Sequence, residues 1–287
     1  MTTTVWVDGK ELTYSKFHFS GGEIQIRFDE IPQGQIHAVK MRSFIRSSDD
    51  LMTMLLVNDA IIHFTKGDAE LVLEIPYMPY ARQDRVCAPG EAFSLAVMSR
   101  IVGNMYHDEL VTWDIHSDVL NNPSKLPYST VPFTNVPAAE FVKKITFERT
   151  PVVVIPDKGA KIRAMQAAEA IGAMTIQAEK IRNPDTGEIT GTSVEPNVPG
   201  CFNGMDLLIV DDICDGGRTF TELAKVLRPL TDGKIMLYVT HGIFSKGLQV
   251  FNGLIDEIYC PNVWPGGHDN HWVDYNWVTK EIQVLEF

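Results

Sequence analysis

The residues best suited to chemistry in this 287-residue chain are densest in LLIVDDICDGGRTFTELAKVL, at 207–227. Leu207 to Val210 is a short continuous apolar run, as expected of a parallel strand buried on both faces. Asp211 and Asp212 stand at its carboxyl end, where two carboxylates can accept hydrogen bonds from vicinal ribose hydroxyls. Asp215, Gly216, Gly217, Arg218 and Thr219 follow. Glycines at this point let the backbone curl so that several N–H groups converge on one phosphate. Phe220, Leu223, Ala224 and Leu227 then recur at helical spacing, which puts that phosphate at the positive end of a helix. An acidic pair alone is more often a solvated turn. The ordered string of strand, acids, glycine turn and helix points to a phosphorylated sugar.

Other runs could serve the same chemistry. PYMPYARQDRV, at 76–86, follows the apolar run LVLEI. Pro76 and Pro79 stop regular structure and leave Tyr80, Arg82, Gln83, Asp84 and Arg85 on a loop past a strand end. The arginines supply charge for a polyphosphate and Gln83 an amide for a base or sugar. ELVTWDIHSDV reads as a strand closed by Asp114, His116 and Asp118, and a histidine set between acids there suits contact with metal or phosphate. PVVVIPDKGAKIRAMQAAEAIGA reads as strand, loop with Asp157, Lys158 and Gly159, then an alanine-rich helix. Lys180 and Arg182 lie i, i+2 on an extended segment and so face one way. The turn-rich run 183–200 after them is expected to be a mobile loop or exposed hairpin over an active site. Thr240, His241, Ser245 and Gly247 mark another strand end, while His268, Asp269 and His271 read as a polar turn rather than a metal site.

These runs need elements to carry them. TVWVDGKEL predicts a strand, a turn at Asp8-Gly9 and a return; GEIQIRFDEI predicts a half-exposed strand; SSDDLMTMLLVNDAIIHF predicts a helix capped by Ser48. Residues 121–138 carry four prolines and read as a surface connector. The expected organisation is two α/β domains, 1–144 and 145–287, each with a mainly parallel central sheet flanked by helices. A net charge of -12 argues against a nucleic-acid or anionic-membrane surface. It does not exclude phosphate substrates, since local lysines, arginines and a divalent metal reverse the field within a pocket. Four scattered cysteines with no CxxC pair imply free thiols in a reducing compartment. Neither a secretory leader nor an apolar run of membrane-spanning length is visible, so a cytoplasmic location is expected.

Four blocks in order, FSGGEIQIRF, PYMPYARQDR, DIHSD with PDKGAKIRA, and VDDICDGGRT, resemble the ribose-phosphate pyrophosphokinases, also called phosphoribosyl-pyrophosphate synthetases. The last block alone is similar to the motif of type I phosphoribosyltransferases, but those lack PYARQDR. The resemblance covers nearly the whole chain and implies two phosphoribosyltransferase-like domains. It also implies transfer of the βγ-diphosphate of ATP, with Mg2+, to the anomeric hydroxyl of ribose 5-phosphate, giving AMP and phosphoribosyl pyrophosphate. On this resemblance Arg82 and Gln83 contact ATP within the loop that also holds Asp84 and Arg85, and Phe19 and Glu23 reach the adenine site of a neighbouring subunit. His116 lies near the metal and the ATP phosphates, and Asp157 lies by the ribose and the metal. Asp211 and Asp212 hold the ribose hydroxyls, Asp215, Gly216, Gly217, Arg218 and Thr219 bind the 5-phosphate, and Lys180, Arg182 and His116 are catalytic. A homo-oligomer built from dimers is implied as well.

The chain departs from the family pattern at three places. Gly21 stands where an aspartate is usual; Gly216 and Arg218 make the phosphate loop roomier and more cationic; and VCAPGEAF lacks the basic regulatory loop. Three further readings follow: the same transfer onto a larger 5-substituted ribose such as ADP-ribose, a phosphoribosyltransferase that consumes the product, and a catalytically silent regulatory homologue.

Overall fold

The computed structural model describes residues 2–121, 133–182 and 189–264, apart from the side chains of 118, 121, 180–182, 189 and 190. His268, Asp269, His271 and the tail tryptophans lie outside the described residues. The chain divides into two compact units, Met1–Val136 and Pro137–Phe287.

In the first unit β1 (Thr3–Val7) and β2 (Lys10–Leu12) form the expected hairpin. Its turn residues Asp8 and Gly9 have φ of 46° and 81°, the twist that a two-residue connection requires. β3 (Tyr14–His18) and β4 (Ile24–Phe28) make a separate antiparallel pair, and β5 (Ala38–Ser43) runs antiparallel to β1. α1 (Ser48–Thr65) turns Met54, Val57 and Ile61 into the core. Its cap is Ser47 rather than Ser48. The Ser47 hydroxyl accepts from the Asp50 N–H at 3.1 Å, and the Asp50 carboxylate reaches back to the Arg46 N–H at 3.1 Å. That reciprocal pairing satisfies two N–H groups and leaves Ser48 inside the first turn.

β6 (Glu70–Glu74), α2 (Ser94–Gly103), β7 (Glu109–Trp113) and β8 (Phe133–Val136) complete this unit. The sheet order is β2-β1-β5-β6-β7-β8, parallel from β5 onward. β8 revises the connector expected over 121–138. Its backbone pairs along β7 from Leu110↔Phe133 to Trp113↔Val136, so the ladder, not water, takes those polar groups.

The second unit runs α3 (Ala138–Val142), β9 (Val152–Ile155), α4 (Lys161–Ile171), β10 (Thr175–Arg182), β11 (Ile189–Val194), β12 (Leu207–Cys214), α5 (Arg218–Leu227), β13 (Ile235–Gly242), β14 (Glu257–Tyr259) and β15 (Asn262–Val263). Its sheet order is β11-β10-β9-β12-β13-β14, with β15 also on β13; β10 and β11 are antiparallel and the other pairs parallel. Every residue of β9 and β13 is buried, which is why Val152–Ile155 and residues 235–239 read as unbroken apolar runs. α5 buries Phe220, Leu223, Ala224 and Leu227, the four placed at core spacing by sequence. The units meet at Val136/Pro137, whereas the expected boundary was 144/145; the intervening α3 packs against α4.

β12 extends four residues beyond the strand read at 207–210. β9 pairs with it only through Ile209, but β13 continues alongside, with Asp211↔Val239, Ile213↔His241 and Cys214↔Gly242. Asp211 and Asp212 therefore sit within the strand and not after it. The longer ladder holds their backbone rigid on one side and leaves the other open.

Candidate active site

In the second unit the carboxyl ends of the parallel neighbours β9, β12 and β13 share one sheet edge, the edge at which open α/β sheets bind ligands. Asp157 follows β9, and its Oδ1 accepts from the N–H groups of Gly159 at 2.9 Å and Ala160 at 3.2 Å. This fixes the turn that leads into α4. Past β12, Asp215 Oδ1 accepts from the Ser245 hydroxyl at 2.5 Å and its carbonyl from the Ser245 N–H at 3.1 Å. The segment after β13 thus forms one wall of the 215–219 loop. Gly217, at φ 76°, precedes α5, and a Cβ there would lie 2.6 Å from the Phe251 ring, so only glycine fits. Arg218 and Thr219 are exposed in the first turn of α5, which has neither an acidic residue nor a side-chain cap. The positive end of that helix is left to an incoming anion.

Asp211 is partly exposed and Asp212 is buried, 4% exposed. The Asp212 N–H donates to Asp211 Oδ1 at 2.9 Å. Arg163 of α4, which sequence reasoning did not single out, places Nη1 3.5 Å from Asp211 Oδ1 and 3.7 Å from Asp212 Oδ1. Burial raises the Asp211 carboxyl well above the usual range, the neighbouring Asp212 charge raises it further, and Arg163 opposes both. Two carboxylates and one guanidinium make a set that accepts hydroxyl donors. Burial pushes the Cys214 thiol up to about 12, which rules it out as a nucleophile at neutral pH.

In the first unit the loops after the parallel neighbours β6 and β7 share a sheet edge. The first carries Arg82, Gln83 and Arg85, all exposed, with Asp84 half-buried and 3.5 Å from Arg85 Nε. The second carries His116, exposed, after Asp114 at φ 40°. At the tip of the β3–β4 hairpin the Phe19 N–H donates to the Glu23 carbonyl at 2.8 Å. Phe19 is 54% exposed and stands edge-on to Phe17. A Cβ at Gly21 would fall 2.5 Å from Glu23 Oε2, so here the Glu23 carboxylate takes the space a side chain at 21 would need.

Residues 138–241 match the phosphoribosyl transferase domain model. The chain is 32% identical over 250 residues to a ribose-phosphate pyrophosphokinase of Pyrococcus abyssi, covering 86% of this chain and 82% of that one. It is 33% identical over 251 residues to that of Thermococcus kodakarensis, covering 86% and 84%. This chain belongs to the ribose-phosphate pyrophosphokinase family. A crystal structure of phosphoribosylpyrophosphate synthetase from Mycobacterium smegmatis shares the fold, with TM-score 0.66 and 22% identity over 87% of this chain and 80% of that one.

In this pyrophosphokinase-family chain, the residues singled out by sequence fall into two groups, one per unit. Arg82, Gln83, Asp84, Arg85 and His116 lie on neighbouring loops of the first, with Phe19 and Glu23 on its separate hairpin. Asp157, Asp211, Asp212 and 215–219 lie along one edge of the second. Lys180 and Arg182 occupy backbone positions on β10 that pair with Thr192 and Ile189 of β11. The run 183–200 is thus in part a hairpin return; 183–188 lie outside the described residues. Lys246 was also missed: its Cγ is 3.4 Å from where a Cβ on Gly216 would project. Arg163 was legible as the arginine of PDKGAKIRA, but only the packing of α4 beside β12 shows what it faces.

All four cysteines are free. Among the described residues no helix is long and apolar enough to cross a membrane. No three acidic, histidine or cysteine groups converge among those residues into a metal cage. Single carboxylates fit Mg2+ held mainly by phosphates and water rather than by a protein cage.

Proposed function

We propose that this chain transfers the βγ-diphosphate of ATP to the anomeric hydroxyl of ribose 5-phosphate, releasing AMP and phosphoribosyl pyrophosphate. The observation that carries this reading is the seating of an acidic pair on the rigid end of β12, directly ahead of a glycine-led helix start. It occurs in a chain whose relatives of near-equal length are ribose-phosphate pyrophosphokinases. Asp211 and Asp212 accept hydrogen bonds from the ribose hydroxyls, and Gly216, Gly217, Arg218 and Thr219 with the positive end of α5 hold the 5-phosphate. Arg82, Gln83 and Arg85 take the nucleotide, with Asp84 holding Arg85, and Phe19 and Glu23 read its adenine from a neighbouring subunit of a dimer-based oligomer. Asp157 and His116 would offer the protein contacts to Mg2+, which when bound with the nucleotide neutralises phosphate charge. Lys180 and Arg182 stabilise the oxygens that gain charge as AMP leaves. Transfer between two anions needs in-line placement and neutralisation more than a strong base, and no residue is assigned that part.

A coupled assay of AMP release from ATP, Mg2+ and ribose 5-phosphate tests the reading; absence of AMP would sink it. A second acceptor belongs beside it because of one local feature. Gly216 leaves space at the phosphate loop, and Lys246 joins Arg218 at its rim. Two cations at an open loop suit a ribose whose 5-oxygen carries a diphosphate ester, such as ADP-ribose. Running both sugars side by side decides between them, because turnover confined to ADP-ribose would transfer the assignment to the larger acceptor.

A further inference from the structure

We propose that Arg163 is the positioning residue of the sugar site, holding Asp211 and Asp212 together as charged acceptors for the ribose hydroxyls. This rests on the reading above. Three observations carry it. The Arg163 side chain is 10% exposed, so its charge acts in a poorly solvated place and not on the surface. A single guanidinium nitrogen, Nη1, lies within 3.7 Å of an oxygen from each acid. It comes from α4, a different element from the acids, so it is not a by-product of the strand on which they sit.

The physical need is clear from the pair itself. Two adjacent carboxylates on a half-buried strand end repel, and without a countercharge one of them takes a proton and turns from acceptor to donor. A vicinal diol presents two O–H donors and needs two acceptors. Distances of 3.5 and 3.7 Å are those of charge pairing rather than of tight hydrogen bonds, so Arg163 can neutralise the pair without consuming the acceptor geometry the sugar uses. It does not touch the reacting atoms. Its influence passes through the carboxylates.

The test is a variant series on the full chain, read by separate KM values for sugar and ATP. Arg163→Met is expected to raise the sugar KM about tenfold or more, since losing a buried charge partner costs that much, while the ATP KM moves less than about threefold. Arg163→Lys, which keeps the charge, should recover most of the sugar KM. Removing one member of a buried pair can unfold a protein, so thermal melts accompany each variant, and Arg163→Met with Asp211→Asn relieves the unpaired charge. That double variant should melt near the wild type, with a sugar KM close to that of Asp211→Asn alone, because Arg163 acts through the pair. A purely structural Arg163 predicts instead that Arg163→Met adds its full sugar-KM penalty on top of the Asp211→Asn defect. Sugar and ATP KM rising alike, or Arg163→Lys proving as damaging as Arg163→Met, would overturn the assignment. Wild-type turnover in the same assay is the separate check on the reading itself. Calorimetric titration with ribose 5-phosphate reads the Arg163 effect on sugar binding even if turnover is absent, and a Kd unchanged in Arg163→Met would refute it.

Discussion

Asp211 places function and stability in opposition. Its carboxyl is raised above the ordinary 3.8, first by burial and then by the charge of Asp212. The folded state therefore holds the proton more tightly than the unfolded state does. Stability from that proton is present below the unfolded value and is lost as pH climbs through the raised folded one. Asparagine has no such loss. Asp211→Asn should thus melt a few degrees above wild type at neutral pH, with the difference vanishing in acid, while sugar kcat/KM falls roughly tenfold or more. Melting curves across pH and a kinetic assay check both halves. The glycines give a second contrast at this scale. Gly217→Ala meets Phe251 at 2.6 Å and a φ of 76°, and should cost about 1–3 kcal/mol by chemical denaturation. Gly216→Ala meets nothing nearer than 3.4 Å and should stay within about 0.5 kcal/mol.

The β10–β11 hairpin and the loops past β6 and β7 carry the charge at the scale of elements. Lys180 and Arg182 stand beyond Gln177, the last β10 residue paired with β9, on a stretch that among the described residues pairs with β11. An arm attached to the sheet along one edge can move while the Asp211–Asp212 platform stays fixed, and this suits groups that engage charge only as it develops. Lys180→Ala is accordingly expected to lower kcat by about a hundredfold while the ATP KM shifts less than threefold or so. Equal losses in both would make Lys180 a ground-state contact. β8 illustrates why runs rich in turn residues mislead, while β11 takes the hairpin form expected as one of two outcomes. FTNV and ITGTSV lack strong alternation, and their strand state comes from a neighbouring backbone with open hydrogen-bonding positions.

At the scale of the whole molecule, Phe19 and Glu23 both stand exposed at a hairpin tip. If they complete the ATP site of a second subunit, two defective variants should rescue each other. Mixing Glu23→Ala with Lys180→Ala protein is expected to restore AMP release that neither shows alone, because one class of mixed site is intact in both respects. A mixture no more active than its components would confine each ATP site to one chain. The net charge of -12 also predicts that salt affects substrate binding through local cations rather than through a global basic surface.

What sequence alone determined is whatever depends on local pattern. The apolar runs of β9, β12 and β13, the core spacing of α5, the Asp8-Gly9 turn and the acidic pair with its glycine loop were all readable, because each is written in consecutive residues. Tertiary structure decided what depends on neighbours distant in the chain. It extended β12 to Cys214 because β13 runs beside it, made an edge strand of Phe133–Val136, moved the break between units ahead of α3, and brought Arg163 and Lys246 to residues 48 and 30 positions away. Ladder pairing and charge neutralisation are satisfied by whichever groups the fold brings close, and no local periodicity records that choice.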